Sequence, residues 1–217
     1  MTKTRHDTPA ASLTGTRTGD GTVNIAAQRT AMAARYPDKR AMVWTAGRDG
    51  SGRARYAHVT FAELEQETDR YAHGLERAGI TRGTRTILFV TPGLDSFALV
   101  FALFKVGAVP VMIDPGVGRQ QMRARLSEIQ GEAFIGVPRA HVFRTLYPGS
   151  FRSVRVAVTV GRRWLWGGLC LADIRTDPWR PYAPAPPRAR DPAPPCLYPR
   201  VVRPPSPLRI ASERDHC

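Results

Sequence analysis

RTILFVTPGLDSFALVFALFKVGAVPVMID, residues 85–114, is the stretch on which the fold class turns. Residues 85–90 form a short, mostly apolar run of strand length. Residues 95–108 are apolar on most faces of a helix, and 109–114 are again of strand length. Lys105, Gly107 and Pro110 interrupt the greasiest part, which is too short and too broken to cross a bilayer as one helix. A buried helix between two continuous apolar strands implies a parallel pair joined by a crossover, hence an α/β fold.

The same alternation extends outward. Downstream, residues 118–131 carry Met122, Leu126 and Ile129 at helical spacing, 133–137 (AFIGV) read as a strand, 139–147 as a helix and 154–161 as a strand. Upstream, Ile25, Ala26, Ala31, Met32 and Ala33 mark a helix that Pro37 ends. Strands at Met42–Thr45 and Ala54–Val59 flank the glycine-rich GRDGSG and predict a hairpin. Thr60 and Glu63 form a Thr-x-x-Glu capping box. The helix that follows carries Leu64, Thr68, Tyr71, Ala72 and Leu75 on one face and closes at Gly79.

The formal charge is +14 over 217 residues, which raises nucleic acid or an anionic membrane as partners. Yet 29 of the 32 basic residues are arginine and they are scattered through every segment. No basic block with interleaved aromatics and no nucleic-acid-binding signature is present, so no nucleic acid is expected; that reading rests on charge alone. Cys170, Cys196 and Cys217 lack metal spacing, and His6, His58, His73, His141 and His216 contain no HxxxH or HExxH pair. His141 reads as a surface or satisfied core residue, GRDGSG and DPGVG as turns, and Asp114 as a strand-end residue able to cap the next helix. The amino-terminal residues have no apolar signal core, and a cytoplasmic location is expected. No catalytic, cofactor-binding or metal-binding residue is assigned on these grounds.

Three phrases in order carry a resemblance: residues 23–44 (VNIAAQRTAMAARYPDKRAMVW), 58–116 (HVTFAELEQETDRYAHGLERAGITRGTRTILFVTPGLDSFALVFALFKVGAVPVMIDPG) and 133–141 (AFIGVPRAH). They resemble the N-terminal subdomain of the adenylate-forming acyl ligases, the AMP-forming acyl-CoA synthetase and luciferase superfamily. In that family a T(F/Y)xEL helix precedes GIxxGD(R/T)V and then a helix ending in GAVxVxxxP. Here Thr84 takes the usual Asp place, and Asp114 precedes the proline. TPGLDSFALVFALFKVGAVPVMIDPGVG, EAFIGVPRAH and the Trp166–Gly168 WGG are similar to the bacterial branch of olefin β-lactone synthetases, often labelled fatty acid CoA ligases.

The resemblance implies an N-terminal ligase subdomain: a mostly parallel sheet flanked by helices. Full-length relatives would use ATP and Mg to turn a fatty or β-hydroxy acid into an acyl adenylate, then form a CoA thioester or a β-lactone. That chemistry needs a mobile loop whose amides and lysine hold the departing phosphates, FTSGSTGxPKG in the family. The string does not occur in this sequence. Neither ATP nor Mg is therefore expected to bind this chain well.

The end of the chain bears on the same point. Twelve of the 19 prolines lie in residues 178–217, where proline excludes a regular helix or a central strand. Asp191–Ala193 match a triplet that often precedes the phosphate loop in the family. Codons for 197–204, read from their second base, permit Phe-Thr-x-Gly-Ser-Ser-Gly-Pro at the family's distance. The expected organisation is a disordered 1–22, a partial AMP-binding domain over 23–185, and a disordered Pro/Arg-rich 186–217 read out of frame. An evolved proline-rich linker or another assembly error are the alternatives to the frameshift. Function then divides between a truncated, inactive ligase and a stand-alone binding or scaffold module, with association through an exposed apolar face expected.

Overall fold

The computed structural model describes residues 25–112 and 119–185. The expected disordered ends 1–22 and 186–217, the DPGVG turn, Asp114, His6, His216, Cys196 and Cys217 lie outside these residues. Helix α1 (Ile25–Arg35) leads into the strands β1 (Arg40–Arg48) and β2 (Ala54–Thr60), which pair antiparallel. The GRDGSG turn between them is held by Asp49, whose carboxylate accepts hydrogen bonds from the Ser51 amide (2.9 Å), the Ser51 hydroxyl (2.6 Å) and the Arg53 amide (3.0 Å). These donors, the Ser51 hydroxyl first, hold the Asp49 pKa below the usual carboxylate range.

Helix α2 (Phe61–Arg77) begins with the expected capping box: the Glu63 amide donates to Thr60 Oγ1 at 3.2 Å, and the Thr60 amide donates to Glu63 Oε2 at 2.9 Å. Two free amides are thus satisfied where the hairpin hands over to the helix. The chain then alternates through β3 (Arg85–Phe89), α3 (Leu94–Val106), β4 (Val109–Met112), α4 (Arg119–Ile129), β5 (Ala133–Gly136) and α5 (Pro138–Leu146). A short 3-10 turn at Pro148–Phe151, β6 (Val156–Thr159), β7 (Leu169–Cys170) and α6 (Leu171–Ile174) complete the described residues. Gly107 ends α3 with φ of 74°, so its amide can turn back to the Leu103 and Phe104 carbonyls.

The five strands β3 to β7 form one parallel sheet in the order β4-β3-β5-β6-β7. Side chains alternate across it, so neighbours in sequence face different cores. Leu88, Ile135 and Val158 meet α2, α3 and α6 through Leu64, Leu75, Leu99, Leu103, Leu171 and Ile174. Ile87, Val111 and Phe134 meet α4, α5 and the 3-10 turn through Met122, Leu126, Ala140 and Phe151. Both faces of the sheet are covered, which explains why these strands are mostly apolar, with Thr86 and Thr159 the buried polar exceptions.

Two differences from the sequence expectation are informative. The strand expected at 154–161 is only Val156–Thr159, because the Val154 amide is spent on a turn to the Phe151 carbonyl at 3.1 Å. Lys105, read as an interruption of an apolar helix, is fully buried. Its Nζ donates to Glu65 Oε1 at 2.5 Å and to Asp69 Oδ1. Arg29 closes on the other Glu65 oxygen, Thr30 Oγ1 donates to Glu65 at 2.7 Å, and the Trp179 indole donates to Asp69 Oδ2 at 3.2 Å. Two cations and two carboxylates thus neutralise one another between α1, α2 and α3.

Candidate functional site

The strand order locates the place where a parallel sheet presents groups to a ligand. From β3 the chain moves to β4 on one side, then crosses back through α4 to β5 on the other. At such a reversal the loops after the two strands diverge, and the crevice outside their carboxyl ends is the usual binding position. On the β3 side lie residues 90–93 and the start of α3, whose first amides have no side-chain cap. On the β5 side lie Val137 and Pro138, where α5 starts, also without a side-chain cap. Gly136 is required there, since a Cβ would come within 2.9 Å of the Phe134 ring and 3.0 Å of the Ala140 Cβ.

Near the start of α3, the Tyr71 hydroxyl donates to Asp95 Oδ1 at 2.6 Å. Burial, reinforced by this carboxylate, raises the Tyr71 pKa far above its ordinary value, so the phenol stays protonated. Trp44 of the hairpin packs near this turn, its ring 6.3 Å from that of Phe97. The pair is thus committed to holding α2, α3 and the hairpin together.

Across the reversal, His141 is fully buried in α5. Its Nε2 lies 3.1 Å from the Val158 carbonyl, so this nitrogen carries the proton and donates; the Thr159 hydroxyl lies 3.2 Å away. Thr159 in turn accepts from the Trp166 indole at 3.1 Å. The imidazole stacks on Trp166 at 5.4 Å and 6°, with its other neighbour Phe134 edge-on at 5.0 Å. Burial lowers the His141 pKa, and the nearby Arg144 guanidinium pushes in the same direction. The ring is neutral at pH 7 and its Nδ1 is buried without a hydrogen-bond partner. Its partners are a carbonyl and a hydroxyl, with no carboxylate or thiol in line, so the arrangement orients Trp166 and joins α5 to β6.

His141 is therefore a core residue, as the sequence allowed, but one bonded at Nε2 only and not fully satisfied. His58 and His73 lie in β2 and α2, on the opposite side of the sheet from α5, and Cys170 is a free, half-buried thiol in β7. Among the described residues no group of three His, Cys, Asp or Glu side chains could hold a metal ion. The Glu65–Asp69–Lys105–Arg29 cluster escaped the sequence reading. The only local sign of it was a lysine at the end of an apolar helix.

The fold has counterparts in known proteins. The AMP-binding enzyme family matches residues 29–193. The olefin β-lactone synthetase of Xanthomonas campestris is 41% identical over 155 residues, covering 71% of this chain and 28% of that protein. That of Stenotrophomonas maltophilia is 44% identical over 154 residues, covering 70% of this chain and 28% of the relative. The chain thus spans 28% of the length of these two relatives. Among solved structures, apo MbtA of Mycobacterium smegmatis superposes with a TM-score of 0.60 at 22% identity, covering 75% of this chain and 28% of that one. A long-chain-fatty-acid-CoA ligase of Archaeoglobus fulgidus gives 0.57 at 19% identity, over 70% and 29% of the respective chains. These likenesses show that the fold is that of the N-terminal domain of adenylate-forming ligases, and with the family match running through most of its length, the chain belongs to the AMP-binding enzyme family.

Proposed function

We propose that the described domain is the front part of an acid-activating enzyme of the β-lactone-forming kind. Its full-length relatives would join a fatty or β-hydroxy acid to AMP and then close a β-lactone or form a thioester. The observation that carries this reading is the identity of 41–44% to two olefin β-lactone synthetases across most of the chain. The polypeptide alone would not turn over. It contains no Gly/Ser/Thr/Lys phosphate loop of the SGSTGxPKG kind, and its described residues offer no cluster of carboxylates for magnesium. The missing phosphate-loop string and the lack of a metal-holding group among the described residues support the reading that ATP and magnesium bind this polypeptide poorly.

Exposed apolar side chains support a missing partner for this domain. Val43 and Tyr56 stand out from the hairpin and Met112 from the β4 edge. Among the described residues β1 and β4 each pair with one strand only. The remaining ligase would cover this side of the molecule. A stand-alone scaffold is the second reading, and the same exposed side chains would then be its docking groups.

ATP–pyrophosphate exchange with β-hydroxy and plain fatty acids tests the assignment. The chain 1–217 should show none. The same domain joined to a downstream ligase frame, restored by a one-base change after codon 193, should exchange, and preferentially with the β-hydroxy acid. Exchange by the unextended chain, or none after restoration, would overturn it.

A further inference from the structure

From Ala133 to Ala172 the chain contains six arginines and not one aspartate or glutamate. The topology gathers these residues at one end of the sheet: β5, α5, β6 and β7, with β7 the edge strand opposite β4. Within that run the charge is wholly basic, bounded by Glu132 before β5 and by the exposed Asp173 after β7. Arg139, Arg152, Arg155, Arg162 and Arg163 are exposed in it.

The loop between β6 and β7, residues 160–168, forms the prow of this end of the sheet. It reads Val-Gly-Arg-Arg-Trp-Leu-Trp-Gly-Gly, and it exposes Leu165 fully (102%) and Trp164 largely (68%) to solvent. A bare leucine beside a bare tryptophan is costly in water unless something receives them. The loop is nevertheless firmly built. Trp164 stacks on Trp166 at 6.0 Å, Trp166 stacks on the buried His141, and the Trp166 carbonyl accepts from Arg144 at 3.4 Å. Arg163 donates to the Gly168 carbonyl at 2.5 Å. Gly168 itself, at φ 87°, has no room for a Cβ, which would meet the Ala157 carbonyl at 2.6 Å. Two apolar groups are therefore presented in a fixed geometry, with little ordering left to lose on binding.

We propose that this β7 edge docks on an anionic lipid surface, with Trp164 and Leu165 entering the headgroup boundary and Arg162 and Arg163 facing the lipid phosphates. Each element has a physical role there. Tryptophan is favoured at the membrane interface, leucine supplies apolar burial, and arginine can keep its charge at headgroup level while its stem lies in the apolar layer. The loop 160–168 itself carries no acidic residue to oppose approach to a negative surface. Among the described residues no helix is long and apolar enough to cross a membrane, so the contact is peripheral. The inference does not depend on which acid the enzyme family member activates.

The test is flotation of the full chain with phosphatidylcholine vesicles, with and without about one third phosphatidylglycerol. Binding is expected to the anionic vesicles, to fall as salt rises from about 0.1 to 0.5 M, and to be weak on pure phosphatidylcholine. Leu165→Ser should weaken it roughly tenfold, and Arg162→Gln, which leaves the Arg163 tie to the Gly168 carbonyl in place, by about fivefold. Thermal melts of the variants should match the parent, because these side chains lie outside the core. Equal binding by both variants would refute the proposal, since attraction would then come from other parts of this basic chain. Absence of vesicle binding, or tighter binding to a single-stranded oligonucleotide than to the vesicles, would refute it as well.

Discussion

Replacing Lys105 by methionine tests whether the buried cluster holds the helical layer together by charge or by packing. Methionine keeps most of the volume of the lysine stem, so the cavity contribution is small and the change is chiefly the loss of one ammonium. What remains is unequal for the two carboxylates. Glu65 keeps Arg29 and the Thr30 hydroxyl, whereas Asp69, 2% exposed, keeps the Trp179 indole and only a longer-range attraction to the Arg29 guanidinium that Glu65 already holds. The variant therefore carries one uncompensated buried charge, a situation that costs about 3–5 kcal/mol. At roughly 2–4 °C per kcal/mol for a domain of this size, the melting temperature should fall by about 6–20 °C. Urea unfolding, followed by near-UV circular dichroism and tryptophan fluorescence, would measure the free energy directly. Adding Asp69→Leu to Lys105→Met removes the stranded charge and should recover most of the loss. A single variant that costs under about 1 kcal/mol, or a double variant no more stable than the single, would show that the charges do not determine the stability of this layer.

Two further outcomes follow from the geometry. The folded His141 pKa lies below its unfolded value, so the unfolded state binds more protons between the folded value and about pH 6.5, and stability should rise with pH through that window. His141→Gln should flatten this slope relative to the parent in denaturant titrations at pH 5 to 7. Gly74→Ala places a Cβ 2.1 Å from the Ile174 carbonyl, so α6 must move away from α2; a loss of at least about 2 kcal/mol is expected by thermal unfolding.

What was legible in the sequence was local. The Thr60–Glu63 box, Pro37 after α1, Gly79 after α2 and the alternation from Arg85 onward act within a few residues, and each is found where its chemistry predicts. The class of fold followed from these alone. What could not be read was pairing over distance. Lys105 meets Glu65 and Asp69 from 40 and 36 residues away, and nothing beside any of them announces the partner. The two-residue β7 is a strand only because β6 lies against it, and α6 is too short to show a period. The site posed the harder problem. His141 takes its character from the Val158 carbonyl and from Trp166, both reached only after the sheet has formed.

The ties from α2 to the far end of the domain impose an order on its manufacture. Glu67 waits 108 residues for the two-pronged Arg175 guanidinium, and Asp69 waits 110 for the Trp179 indole. On a ribosome the helix therefore emerges long before the groups that complete its surroundings. Contacts this far apart are slow to close even in a finished chain. A nascent polypeptide halted after β6 would have its central strands yet lack the segment that seals them, leaving apolar helix faces open to chaperones or to other unfinished chains. Residues 169–179 are thus the latch of the domain, and the time translation takes to deliver them sets how long it stands ajar.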